Sequence, residues 1–298
     1  MRVFAGAFAS ILALGLAGGE ALARCADWTP QPKPQNASRD IVGADLDAIQ
    51  DRGWIEFAVY EDFAPYAWEE KGEAKGVNIE IGRLIAQALE VEPRFRFIEA
   101  GENLEADLRH YVWKGPLVGG RVANVMLHVP YDSDFACRVE QVVFTGQAFT
   151  ESIAIAYRKD AYPEDKPVPA YFRFDAVAVE NDTIADFYLT SLTGGALNKN
   201  IRRYQSYEEA MAALAAGEVM AAMGPRAQLE HGLTDEIAVH QPPLPGFGRG
   251  SWTLGVGVNF RYRPLAYAVD AAIEEALADG RIAAIFEAYQ LTYQPPER

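Results

Sequence analysis

Apolar positions along the chain follow two rhythms, one of period two and one of period 3.6. Residues 55–60 (IEFAVY) alternate and predict a first strand. Within residues 76–90, Ile81, Leu84, Ile85 and Ala88 fall on one stripe and predict an amphipathic helix. Residues 95–98 predict a second strand, and residues 104–113 a helix that ends at Lys114-Gly115-Pro116. A short apolar run at 124–129, behind Gly119 and Gly120, reads as a buried strand end. Residues 131–138 read as irregular and polar, and 141–144 and 152–157 (SIAIAY) as two separate short strands. Further on, strands are predicted at 176–179, 202–204, 219–223 and 252–258. A helix is predicted at 183–192. Another opens on the capping box Ser206/Glu209 and presents Tyr207, Ala210, Met211 and Leu214 on one face. Residues 264–277 are strongly amphipathic, and 282–289 mark a last helix. Strands alternate with helices almost throughout, which predicts an α/β fold with largely parallel sheets.

A length of 298 residues suits two units, and 50% hydrophobic residues supply cores for both. Pro/Gly-rich breaks at 160–169 and 241–250 punctuate the second half, the latter reading as a return crossing between units. Residues 1–23 read as a secretory signal peptide, with Arg2, an apolar stretch and a small-x-small site at Ala21-Leu22-Ala23. The apolar stretch is too short for a stable membrane span. Residues 24–44 form a Pro-rich, polar arm. The formal net charge of −15 argues against nucleic-acid binding, which wants a basic surface. Cys25 and Cys137 are the two cysteines; in an oxidising compartment they read as a disulfide, the alternative being two unrelated buried thiols. His110, His128, His231 and His240 lack metal-ligand spacing, and no nucleophile elbow, P-loop or dinucleotide fingerprint is present. Asp132, Asp134 and Glu140 cluster in sequence, but nothing pairs them with a nucleophile, so the chain reads as a non-enzyme without cofactors.

Several segments resemble the solute-binding proteins of family 3, the periplasmic two-lobed receptors of ABC importers. These are FAVYEDFAPYAW, the helix start Gly76-Val77-Asn78-Ile79-Glu80, AVENDT ending at Thr183, the run from Tyr204 to Gly217, and the run from Leu265 to Tyr289. Arg138 stands six residues before Phe144, the spacing of that family's ligand-binding arginine. The resemblance implies a type II periplasmic-binding-protein fold, each lobe a mostly parallel sheet flanked by helices. It places lobe 1 at 45–150 plus 247–298 and lobe 2 at 151–246. It implies a cleft with Phe63, Tyr66, Trp68, His128, Arg138, Asp182 and Thr183 as candidates for ligand or partner contact. Core packing is the plainer reading for the aromatics and His128, and a structural ion pair for Arg138. Where the family carries an amine-binding Asp after the lobe-2 strand, this chain has Gly224-Pro225.

The arm, the run WKGPLVGGRVANVMLHVPYD and the run FDAVAVENDTIADFYL are similar to the MxaJ/XoxJ branch of the family. That branch implies a periplasmic accessory protein that docks on a quinoprotein (PQQ) methanol or alcohol dehydrogenase, with its cytochrome c as a further partner. The alternative is a receptor delivering a small polar or anionic solute to an importer.

Overall fold

A computed structural model describes residues 43–116 and 120–297. The signal sequence, nearly all of the Pro-rich arm and Cys25 lie outside the described residues.

The chain begins with α1 (Leu46–Arg52), whose Asp45 cap accepts the Ala48 N–H at 2.9 Å. Strand β1 (Trp54–Tyr60) follows, then the hairpin β2 (Trp68–Glu70) and β3 (Glu73–Lys75), α2 (Val77–Ala88) and β4 (Glu92–Ile98). Helix α3 (Leu104–Leu108) runs into a π turn, Arg109–Trp113. Next come β5 (Val125–Pro130), α4 (Ser133–Arg138), the 17-residue β6 (Val142–Arg158), β7 (Val177–Glu180) and α5 (Ile184–Ser191). Then follow β8 (Ile201–Tyr204), α6 (Tyr207–Ala215), β9 (Ala221–Pro225), α7 (Arg226–His231) and β10 (Ile237–His240). The chain closes with β11 (Ser251–Asn259), α8 (Arg263–Ala278) and α9 (Arg281–Ala288).

Nine of these strands form one mixed sheet ordered β4-β1-β5-β11-β6-β9-β7-β8, with β10 paired to β6, while β2 and β3 form a sheet of their own. Strands β4, β1 and β5 are parallel, as are β9, β7 and β8. Between these groups, β6 and β11 run antiparallel to each other and to their other neighbours. Both faces are covered, so strand residues are buried on alternate sides. On β6, Ile153, Ile155 and Tyr157 join Val177, Val179 and Leu189 in one cluster, while Ala154 and Ala156 join Met211 and Leu214 in another. At the other end of the sheet, Ile55, Phe57 and Val59 pack with Ile81, Ile85, Val269 and Ile273. Ala58, Leu108, Val112 and Met126 fill the opposite face.

Two expectations are corrected. The segment 131–138 is not irregular: Asp132 accepts the Phe135 N–H at 2.8 Å and starts α4. The predicted strands at 141–144 and 152–157 are one strand, because the polar run Thr150-Glu151-Ser152 between them is itself buried and paired to β11. The sequence reading also passed over the β2–β3 hairpin, α7 and β10.

The tail after α9 crosses the junction between the two groups of strands. The Thr150 N–H donates to the Gln294 carbonyl at 2.9 Å, and the Thr292 N–H to the Glu230 carboxylate of α7 at 2.7 Å. The Glu297 N–H reaches the Thr253 hydroxyl at 3.2 Å.

The β11 ladder shifts register beside Gly255, where a Cβ would stand 2.5 Å from the Thr145 carbonyl oxygen. The obstacle is backbone, so it cannot swing aside. Gly255→Ala is expected to destabilise the protein by about 1–3 kcal/mol, read as a lower urea midpoint; an unchanged midpoint would contradict this packing.

Candidate functional site

The turn after β1 carries Phe63 and Tyr66 against the His128 of β5. Phe63 meets the imidazole edge-on at a 4.9 Å centroid separation, and Tyr66 lies 4.3 Å from it. Phe149 stacks on Tyr66 at 6.1 Å. His128 adopts a positive φ of 63°, which is uncommon for a residue with a side chain, and its Nδ1 contacts the Asn78 amide at 3.2 Å. Burial holds its pKa down to about 3, so the ring is neutral at physiological pH.

The Tyr66 hydroxyl donates to Glu151, which sits in the middle of β6 at the junction and is 4% exposed. The same carboxylate accepts the Ser152 N–H at 2.7 Å and the Arg226 N–H at 3.0 Å. Burial drives its pKa up to about 7, against the opposing pull of the Ser152, Ala227 and Arg226 backbone N–H groups. Glu151 thereby joins the turn after β1 to the start of α7. The Arg226 guanidinium contacts Glu230 at 2.6 Å, and Glu230 holds the Thr292 hydroxyl at 2.8 Å.

On the other side of the junction, Thr183 caps α5 and donates its hydroxyl to the Glu180 carbonyl at 2.8 Å. The Tyr207 hydroxyl reaches the same Thr183 oxygen at 3.2 Å. Asp182 is exposed, with a φ of 58°, next to Asn181. Gly224 has no room for a carboxylate or any other side chain, since a Cβ there would lie 2.1 Å from the Tyr207 ring.

The sequence candidates therefore divide. Phe63, Tyr66 and His128 come together, and Thr183 stands on the opposite group of strands beside Tyr207. Trp68 packs instead on His231 and Tyr289, at 5.5 and 5.8 Å. Arg138 ends α4, exposed, with its guanidinium 5.8 Å over Phe135. Cys137 lies in the same helix and is not a free thiol, while Cys25 is outside the described residues. Sequence reasoning missed Glu151. Its signal was a lone carboxylate inside an apolar, β-forming stretch.

A separate cavity of about 430 Å³ opens at the junction. Its walls include Tyr131 and Asp132 from the loop after β5, Ser133 at the start of α4, Arg249 from the loop before β11, and Trp252 and Thr253 of β11. The Arg249 guanidinium pairs with Asp132 at 2.7 Å.

No protein-family model matches the chain, and no curated protein matches it in sequence. Solved structures do match. An ancestral cationic amino acid solute-binding protein superposes with a TM-score of 0.67 at 18% identity, covering 82% of this chain and 98% of that one. An amino acid ABC transporter substrate-binding protein from Streptococcus pneumoniae, bound to L-arginine, gives 0.60 at 17% identity over 83% and 98%. A solute receptor for L-cysteine of Neisseria gonorrhoeae gives 0.56 at 19% over 83% and 93%. These likenesses establish the fold as the type II fold of periplasmic solute-binding proteins. They do not single out the MxaJ/XoxJ branch.

Glu151 and His128 give stability opposite pH slopes. Between pH 4.5 and 7 the unfolded chain has released the Glu151 proton that the folded chain retains, so rising pH favours unfolding. Between pH 6.5 and 3 the unfolded chain takes up a proton that folded His128 refuses, so falling pH favours unfolding. Glu151→Gln removes only the first slope. The variant should gain stability relative to the parent as pH rises from 5 to 8, by up to about 3 kcal/mol. A stability difference that is flat with pH, measured in urea titrations, would refute the assignment.

Proposed function

We propose that the chain is a periplasmic, two-lobed receptor that captures a small polar solute, acting by binding and not by catalysis. The supporting observation is the architecture at the junction: two groups of parallel strands joined through β6 and β11, with side chains from both groups converging there. On this reading lobe 1 comprises 45–150 and 247–298, and lobe 2 comprises 151–246. Two crossings of this kind permit hinge motion around a cleft. The similar solved structures are of binding proteins for cationic amino acids, L-arginine and L-cysteine. On this reading residues 1–23 act as a signal peptide that delivers the chain to the periplasm, and Cys137 of α4 pairs with Cys25, which lies outside the described residues.

A second reading, an accessory protein of the MxaJ/XoxJ type docking on a quinoprotein methanol or alcohol dehydrogenase, is favoured by one observation. Arg138 stands apart from Phe63 and His128, and Gly224 is closed off by Tyr207, so the family's usual zwitterion contacts are not assembled.

Native mass spectrometry of the protein purified from periplasm should show a bound small molecule that is lost on denaturation. Apo protein, together with specific recovery of a quinoprotein dehydrogenase on the tagged bait, would instead favour the accessory reading.

A further inference from the structure

The tail after α9 is divided in its attachments. Leu291 is buried in the core that β1, α2 and α8 build. Tyr293 packs on the same core, its ring 5.4 Å from that of Phe286. Thr292, between them, turns the other way: its N–H and its hydroxyl donate to the Glu230 carboxylate of α7 at 2.7 and 2.8 Å. Gln294 keeps the rhythm, its side-chain amide donating to the Ser152 hydroxyl of β6 at 3.2 Å. Successive side chains of an extended segment point to opposite faces. The odd-numbered residues therefore fix the tail to the first group of strands, and the even-numbered ones bind α7 and the start of the second half of β6. Helix α7 is gripped at both ends, since the N–H of its first residue, Arg226, also donates to Glu151 at 3.0 Å.

The two attachments differ in how readily they break. Leu291 is withdrawn from water, whereas Thr292 is exposed, so water competes for the Thr292 bonds but not for the apolar anchor. Letting go also leaves no stranded charge, because Glu230 keeps its ion pair with Arg226 at 2.6 Å. Further along, the Gln294 carbonyl accepts the Thr150 N–H of β6, and the Glu297 N–H donates to the Thr253 hydroxyl of β11. The tail thus lies along both strands that join the two groups, where any hinge rotation has to occur.

We infer that residues 291–297 are a latch across the joint: anchored on the first group of strands, they hold α7 and so restrain the second group, and the lobes open only when Thr292 releases Glu230. The inference rests on the two-lobed receptor reading, to which it adds a control on how often the cleft opens and hence on how fast solute exchanges.

The test measures the distance between the lobes by pulsed electron paramagnetic resonance on the mature protein. Spin labels are carried at Gln87→Cys on α2 and Glu208→Cys on α6, both exposed positions. Cys137 is not a free thiol and does not compete for label. The parent should give one narrow distance distribution. Thr292→Val removes the hydroxyl from an exposed residue and should fold; it should raise the share of a second, displaced distance about fivefold, the effect of losing one hydrogen bond. A chain ending at Tyr293 should raise it further. A lower melting temperature in both variants with the parent's distance distribution would make the tail a plain stabilising segment and overturn the latch, as would a parent distribution already as broad as theirs. The receptor reading stands or falls separately, on whether the parent retains a solute in native mass spectrometry. A retained solute with unaltered distances removes the latch alone, and altered distances with no solute keep the latch and remove the receptor.

Discussion

The structure depends on one antiparallel ladder, that between β6 and β11. Within the nine-stranded sheet, the strands on either side are joined to one another through it. To one side, β5 hydrogen-bonds to β11 and carries β1 and β4 beyond it; to the other, β9 hydrogen-bonds to β6 and carries β7 and β8. An antiparallel pair in the centre of two parallel groups lets a single strand serve two cores in succession. The first half of β6 closes one core and its second half opens the next. The cost of that economy is a polar run, Thr150-Glu151-Ser152, placed where neither core is continuous. It is tolerated because each group finds partners: Thr150 on the tail, Glu151 on Tyr66 and α7, Ser152 on Gln294.

The same junction concentrates the unusual electrostatics. A carboxylate whose pKa is raised by burial and an imidazole held neutral by burial share one neighbour, Tyr66, which touches both. The aromatic turn and the polar crossing are thus one assembly. It is distinct from the more open, charged cavity bounded by Asp132 and Arg249. The first assembly is largely buried and hydrogen-bonded, which suits a joint. The second is accessible, and its Arg249–Asp132 pair is partly exposed.

Much of the fold was legible in the sequence because both rhythms are clear. The α2 stripe, the Ser206 capping box and the apolar strand runs each reappear as the expected element. The errors have physical causes. A buried polar triplet looks like a strand break, so β6 was split in two. Asp132 was weighed as part of a polar loop, although an Asp before Ser-Asp-Phe is also a helix cap. The site was less legible. Phe63, Tyr66 and His128 were found through their neighbourhood in sequence, and they do meet in space. Arg138 was found by its spacing alone, and spacing cannot report which way a six-residue helix presents its last residue. Arg249 and Asp132 are 117 positions apart, and no local pattern links residues so far separated.

The position of β11 also bears on how the chain is made. It lies inside the sheet, between β5 and β6, yet it comes from residues 251–259, close to the end of the sequence. A polypeptide emerging N-terminus first therefore holds β5 and β6 with unsatisfied edges until residues 251–259 have appeared. The tail that ties Thr150 and Glu230 together emerges later still. Assembly therefore waits on residues 251–259: the earlier segments can collapse, but the sheet cannot close without them. Such a chain has a long interval in which it is open to chaperones or to aggregation.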